Sequence, residues 1–234
     1  MMEIKDLYVN YGNLQIIQGV SMTVKDGEMI SLVGSNGAGK TTLLKAISGI
    51  KSVNGGSIIF DGVDLTRLSA PKIVEQGVVQ VPEGRKLFPD MTVQENLELG
   101  SYLKGPKAKR KDTLEYVYSM MPDLEIKAKQ PAGSLSGGQQ QMVAIGRGLM
   151  SCLKMLIFDE PSIGLSPLLT DIMFDIIAKV KKDGVTIMLV EQNVQNALKL
   201  ADRGYVLEQG RISMEGKASD LLQNEDLKKA YLGM

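Results

Sequence analysis

"EMISLVGSNGAGKTTLLKAISG" (residues 28–49) decides the architecture. Its opening, "EMISLVG", is apolar, β-rich and too short for a helix, so it reads as a buried strand. Its close, "KTTLLKAISG", sets Leu43, Leu44 and Ile47 at helical spacing and stops at Gly49, the residue type favoured just past a helix C-terminus. Between them "GSNGAGKTT" (34–42) matches G-x-x-x-x-G-K-[ST] in the strand–loop–helix context that gives that pattern its meaning. The glycines Gly34, Gly37 and Gly39, interleaved with Ser35, Asn36 and Ala38, let successive backbone N–H groups converge on phosphate oxygens with no Cβ in the way. The following helix adds the positive end of its dipole. Lys40 can reach β- and γ-phosphates, Thr41 offers a hydroxyl to Mg2+, and Thr42 can touch the α-phosphate.

Outward from this loop the pattern alternates. Residues 1–33 read as strands, "IKDLYVNY" and "LQIIQGVSMTV", broken at Tyr11-Gly12-Asn13 and again at Lys25-Asp26-Gly27. "GGSIIFDGVDL" and "GVVQVPEG" are further short strands, as are "KMLIFDE" (154–160) and "TIMLVEQ" (186–192). "MTVQENLELGSYL" reads as helix, with Thr92 and Glu95 spaced as a capping box. "KGPKAKRK" (104–111) reads as a basic, solvated loop, with a membrane-surface contact as the alternative. "DTLEYVYSMMPDL" is an amphipathic helix stopped by Pro122, and "SPLLTDIMFDIIAKVKKDG" is a helix ended by Gly184. "RGYVLEQGRISMEG" is a hairpin turning at Gln209-Gly210. Short strands alternating with helices imply a mainly parallel sheet with helices packed on it. We expect one domain over 1–234, with its core about 1–84 and 151–234 and a helical insertion about 85–150.

Composition removes several classes of function. Lys plus Arg and Asp plus Glu each total 27, so there is no basic excess of the kind nucleic-acid binding needs. No apolar run approaches the ~20 residues of a membrane-spanning helix, and the mixed charges of "MMEIKDLYVN" do not read as a signal peptide. The single cysteine, Cys152, points to a reducing, cytoplasmic setting. With 0 histidines there is no imidazole base and no histidine metal site. The 14 methionines, Met120-Met121 among them, read as core filler.

Two further motifs carry chemistry. "MLIFDE" (155–160) is an apolar strand ending in two carboxylates. Beside a phosphate loop, Asp159 can hold the water shell of Mg2+ and Glu160 can act as general base on the attacking water. "LSGGQ" (135–139) places Ser136 at a helix N-terminus and exposes backbone N–H groups at Gly137, Gly138 and Gln139. This is a second phosphate-binding helix end, more than one nucleotide needs within one chain.

With these motifs in this order the whole chain resembles the ATPase subunit of an ATP-binding cassette (ABC) transporter. The resemblance implies the P-loop NTPase (RecA-like) α/β fold, with N-terminal antiparallel strands and a helical subdomain, and ATP with Mg2+ as cofactors. It implies that "LSGGQ" of one copy closes over ATP held on residues 34–42 of another. By the same resemblance Tyr11 stacks on adenine. Where the family has a metal-linking glutamine this chain has Glu83, with Gln80 three residues early and less suited. Where the family's loop after the catalytic glutamate ends in aspartate, this chain has Ser166. Where the family has a γ-phosphate-sensing histidine, "LVEQNVQNAL" (189–198) has Gln192. Glutamine keeps a donor but takes no proton, so no imidazole step is expected in the pH–rate profile near ~6.5.

"VPEGRKLFPDMTVQENL", "PSIGLSP", "LVEQNVQNALKLADRGYVLEQGRI" and "KKAYLGM" resemble one subgroup, the second ATPase of importers for branched-chain amino acids. The implied partners are a second ABC ATPase, identical or different, two integral membrane permease subunits and, indirectly, a solute-binding protein. The implied place is the cytoplasmic face of the membrane. Similar ATPases serve urea or short amides, and related ones serve lipopolysaccharide export. A soluble non-transport ABC ATPase and a non-catalytic nucleotide-binding regulator are the rival readings.

Overall fold

The computed structural model describes residues 1–151 and 153–232, so the reading of Cys152 lies outside the described residues. In chain order the elements are β1 (Met2–Tyr11), β2 (Leu14–Val24), β3 (Met29–Val33), α1 (Lys40–Ile47), β4 (Gly55–Phe60), β5 (Val63–Asp64), α2 (Ala70–Glu75) and β6 (Val78–Val81). Helices α3 (Val93–Leu99), α4 (Lys104–Ala108), α5 (Arg110–Met120), α6 (Pro122–Ile126) and α7 (Gly137–Leu149) follow. The chain then runs through β7 (Met155–Asp159), α8 (Pro167–Lys182), β8 (Thr186–Glu191), α9 (Val194–Leu200), β9 (Arg203–Glu208), β10 (Arg211–Lys217), α10 (Ala218–Gln223) and α11 (Glu225–Leu227).

The strands form two sheets. One has the order β2-β1-β4-β5 and is antiparallel; the other has the order β10-β9-β3-β8-β7-β6. In the second sheet β6, β7, β8, β3 and β9 are mutually parallel, and only β10 pairs antiparallel, through the turn at Gln209-Gly210. Strands β3, β7 and β8 are buried along their whole length, which is why they read as continuous apolar runs rather than alternating ones. Their two faces serve different cores. Leu156, Phe158, Ile187 and Leu189 face a core shared with α7 and α8. Met155, Ile157, Met188 and Val190 face one shared with α1 and the antiparallel sheet. Successive side chains of a strand point to opposite faces, so one apolar run supplies both. Methionine fills these cores as expected: Met2, Met29, Met155, Met173 and Met188 are fully buried.

The basic stretch expected as a loop is helical. Lys104–Ala108 form α4, and Arg110 already belongs to α5. Pro106 lies in the first turn of α4, where a backbone N–H has no helical partner to lose, so proline there is no breaker. Pro122 ends α5 and, for the same reason, opens α6. The capping box at Thr92 and Glu95 forms as read. Among the described residues no helix is long and apolar enough to cross a membrane.

Candidate active site

The sheet order lines the motifs up. Strands β3, β8, β7 and β6 are neighbours, and their parallel register brings their C-terminal ends together: Val33 lies opposite Glu191, and Asp159 opposite Val190. Residues that follow these ends share one cavity of about 470 Å³, lined by Ser35, Asn36, Gly37, Gly39, Lys40, Thr41, Thr42, Glu83, Glu160 and Gln192. The volume suits a small molecule, and the crevice beyond parallel strand ends is where α/β sheets bind ligands.

Gly39 caps α1 in a left-handed conformation, φ 110°, with no side-chain cap on the first amides. A Cβ there would meet Ile17 Cδ1 at 2.9 Å, so both the backbone angle and the packing call for glycine. Lys40 is 4% exposed, and its ammonium donates to the carbonyls of Gly34 (2.7 Å) and Ser35 (3.2 Å). The same nitrogen pairs with Glu160 Oε1 at 3.2 Å.

Glu160 is 7% exposed and holds a left-handed backbone, φ 49°. Such a conformation is uncommon outside glycine and recurs at functional sites. Its N–H donates to the Val190 carbonyl (2.8 Å), and the Gln192 side-chain amide donates to its Oε2. Gln192 thus touches the carboxylate expected to act as base.

Asp159 is 3% exposed. Its Oδ2 accepts from Gln80 Nε2 at 3.3 Å, while Oδ1 is buried and has no partner among the described residues. Burial, then the neighbouring carboxylates of Glu160 and Glu83, push its pKa up to about 6 against the pull of Lys40. Asp159 lines not this cavity but an adjoining cleft, together with Thr41 and Glu83, and a bare buried carboxylate oxygen beside a threonine hydroxyl and a second carboxylate fits a hard cation that keeps part of its water shell. Among the described residues no group of three acidic, histidine or cysteine side chains is placed to hold a metal ion. Gln80, set aside in the sequence reading, reaches Asp159 and also accepts from Ser48 Oγ.

The remaining predicted residues lie elsewhere. Tyr11 ends β1, is 44% exposed and has Lys51 Nζ 4.5 Å from its ring centroid; it does not line the cavity. Ser136 caps α7 in a full capping box: its Oγ accepts the Gln139 N–H (3.4 Å), and Gln139 Oε1 accepts the Ser136 N–H (3.2 Å). Ser136, Gly137, Gly138 and Gln139 do not line the cavity of their own chain. Ser166 caps α8 by accepting the Leu169 N–H.

Two connections escaped the sequence reading. Arg147 donates to the carbonyls of Arg85 (3.0 Å) and Lys86 (2.8 Å), tying the loop that carries Glu83 to α7. Glu191, 1% exposed, accepts from Ser162 N–H (3.0 Å) and Ser162 Oγ (2.8 Å). The only sequence sign of the second is a carboxylate closing an otherwise apolar strand.

Comparison with known proteins agrees with this geometry. The family model described as ABC transporter matches residues 17–163. The chain is 45% identical over 223 residues to the "High-affinity branched-chain amino acid transport ATP-binding protein BraG" of Pseudomonas aeruginosa, covering 95% of each chain. It superimposes on the ADP conformation of MJ1267, an ATP-binding cassette of an ABC transporter, with a TM-score of 0.86 at 28% identity, covering 100% of this chain and 99% of that one. The dimeric post-hydrolysis state of the cassette MJ0796, bound to ADP and Pi, matches with a TM-score of 0.80 at 25% identity over 93% of this chain and 99% of that one.

Proposed function

Since the chain belongs to the ABC transporter family and is its ATP-hydrolysing subunit, we propose that it energises uptake of branched-chain amino acids across the cytoplasmic membrane. The observation that carries the cargo is the 45% identity, over nearly the whole of both chains, to the Pseudomonas aeruginosa protein. In this reading residues 34–42 hold ATP, Tyr11 meets adenine, and two cassettes sandwich the nucleotide between the loop of one and Ser136–Gln139 of the other. The absence of Ser136–Gln139 from their own chain's cavity supports that arrangement.

The chemistry follows from the contacts. Lys40 holds Glu160 and two loop carbonyls; when the β- and γ-phosphates arrive, the ammonium turns to them and Glu160 is released to accept a proton. The Glu160 carboxylate takes that proton from water, the water oxygen attacks the γ-phosphorus, and the bond to the β-phosphate oxygen breaks to leave ADP and phosphate. Gln192 steers both: its amide orients Glu160 and is placed to donate to the γ-phosphate, but it moves no proton. Mg2+, held by Thr41, Glu83 and Asp159 with water, would neutralise charge on the phosphate oxygens.

Coupling runs outward from Glu83. It also lines a larger cleft, about 830 Å³, with Lys45, Ile50, Val74 and Tyr102. We assign this cleft to cytoplasmic loops of the two permease subunits. Because Arg147 ties residues 85–86 to the last turn of α7 and Arg85 donates to Gln140 near its start (3.3 Å), movement at Glu83 would be transmitted to the start of α7 and so to the second nucleotide.

The test is phosphate release with Mg2+ by the wild type, Glu160→Gln and Gln192→Ala. Glu160→Gln is expected to lose ~10²–10⁴-fold in kcat, and Gln192→Ala at least tenfold. A Gln192→Ala rate equal to wild type would remove the sensor role. For the cargo, vesicles in which the chain is reconstituted with a permease pair and binding protein of a branched-chain amino acid importer are expected to hydrolyse ATP faster with leucine than with urea; stimulation by urea alone would reassign the substrate.

A further inference from the structure

Of the buried charged side chains Lys40, Asp159, Glu160 and Glu191, only Glu191 has no part in the scheme above. It ends β8 among fully buried apolar neighbours, Leu189 and Val190. An ionised carboxylate there is costly unless its oxygens are satisfied, and a residue like its neighbours would carry no such cost. Burial raises its pKa, and the two bonds from Ser162 oppose that rise. Both oxygens accept from one residue, Ser162: Oε1 takes its N–H at 3.0 Å and Oε2 its hydroxyl at 2.8 Å.

Ser162 lies in the turn that leaves β7, two residues beyond Glu160. Within that turn Ile163 N–H donates to the Glu160 carbonyl (3.2 Å) and Leu165 N–H to the Ser162 carbonyl (3.1 Å). The adjoining residues of β8 grip the same turn from the other side. The Val190 carbonyl accepts from Glu160 N–H, and the Gln192 amide donates to Glu160 Oε2. Three consecutive residues, 190 to 192, therefore hold Glu160 and Ser162. What they hold is a left-handed glutamate, φ 49°, a backbone state that a free turn would leave. A hydrogen bond that fixes geometry next to a reacting group acts on the rate more than on substrate binding, because small misplacements are felt in the transition state.

We propose that Glu191 is a positioning residue for hydrolysis: by clamping both donors of Ser162 it keeps the turn after β7 closed, so that the Glu160 carboxylate stays aimed at the attacking water. The proposal rests on the reading of Glu160 as the base.

The experiment is steady-state phosphate release and equilibrium ATP binding, with Mg2+, for the wild type, Glu160→Gln, Glu191→Ala, Glu191→Gln, Ser162→Ala and the Glu191→Ala/Ser162→Ala double variant. Glu191→Ala should lose at least tenfold in kcat while KM and the ATP dissociation constant stay within twofold. Glu191→Gln should remain within about threefold of wild type, since its amide oxygen accepts the Ser162 N–H and its NH₂ can donate to the hydroxyl oxygen. Ser162→Ala should lose several-fold in kcat, and the double variant should be no worse than Glu191→Ala, as expected for one shared interaction. A wild-type kcat in Glu191→Ala, or a kcat in Glu191→Gln as low as in Glu191→Ala, overturns the proposal. So does equal loss of ATP binding and kcat. Should Glu191→Ala fail to fold, an unchanged kcat in Ser162→Ala overturns it by itself. Activity retained by Glu160→Gln removes the premise and the proposal with it, whereas loss in Glu160→Gln beside a normal Glu191→Ala leaves the base in place and rejects only the clamp.

Discussion

Helices α1 and α7 both have glycine at their starts, yet their first turns are finished differently. At α1 the cap is Gly39, which offers no side chain, and the charge that sits there is Lys40. At α7 the turn closes on itself through Ser136 and Gln139. The free N–H groups of a helix start need partners. The α1 start leaves them to whatever enters the cavity, while α7 has its own capping box and a phosphate must compete with a long 3.4 Å bond. In the proposed scheme one end is therefore a binding site within the chain, and the other becomes one only against a second molecule.

The sharpest way to break this contrast is ATP binding by the isolated chain. Lys40→Ala should weaken it by ~10–100-fold, the worth of ~1.5–3 kcal/mol for hydrogen bonds from a charged group, whereas Ser136→Ala should leave it within twofold. Equal losses in calorimetric titrations would show that α7 serves its own chain's nucleotide.

Next in size is the carboxylate between the two ends. The folded pKa of Asp159, about 6, lies above its ordinary value of 3.8. The folded chain thus holds that proton more tightly than the unfolded one. In the metal-free protein the ionised group costs stability above pH ~6, and the cost fades as the pH falls towards ~4. Asp159→Asn should therefore raise stability by ~2–3 kcal/mol at pH 8 and by little at pH 4 in denaturant melts with chelator. A pH-independent difference would reject this account.

The smallest effects concern the caps as structure. Gly39→Ala sets a Cβ on a φ of 110° and against Ile17, and should cost ~1–2 kcal/mol. Ser136→Ala should cost ~1 kcal/mol. Thermal melts that ranked them the other way would show α7's box to be the stronger element.

The same contrast runs through what was legible in the chain. Residues 34–42, the box at Thr92 and the cap at Ser136 are readable because each involves neighbours a few positions apart, and local spacing is what a sequence displays. Lys104–Ala108 is helix where the basic stretch suggests a loop, because Pro106 falls in the first turn, where it costs no helical hydrogen bond. Burial brings Asp159 to about 6, a shift that no local pattern displays and that leaves the expected absence of an imidazole step as it stood.

By itself the sequence determined the phosphate loop, the carboxylate pair, the alternation that builds the parallel sheet and the family that these imply. Only the tertiary structure decided that Gln80 reaches Asp159, that Arg147 ties the Glu83 loop to α7 and that Glu191 clamps Ser162. The partners in these contacts lie 79, at least 61 and 29 positions apart. They meet because β6, β7 and β8 end side by side and α7 packs against them, and strand order is set by the burial of whole faces, which no local pattern records.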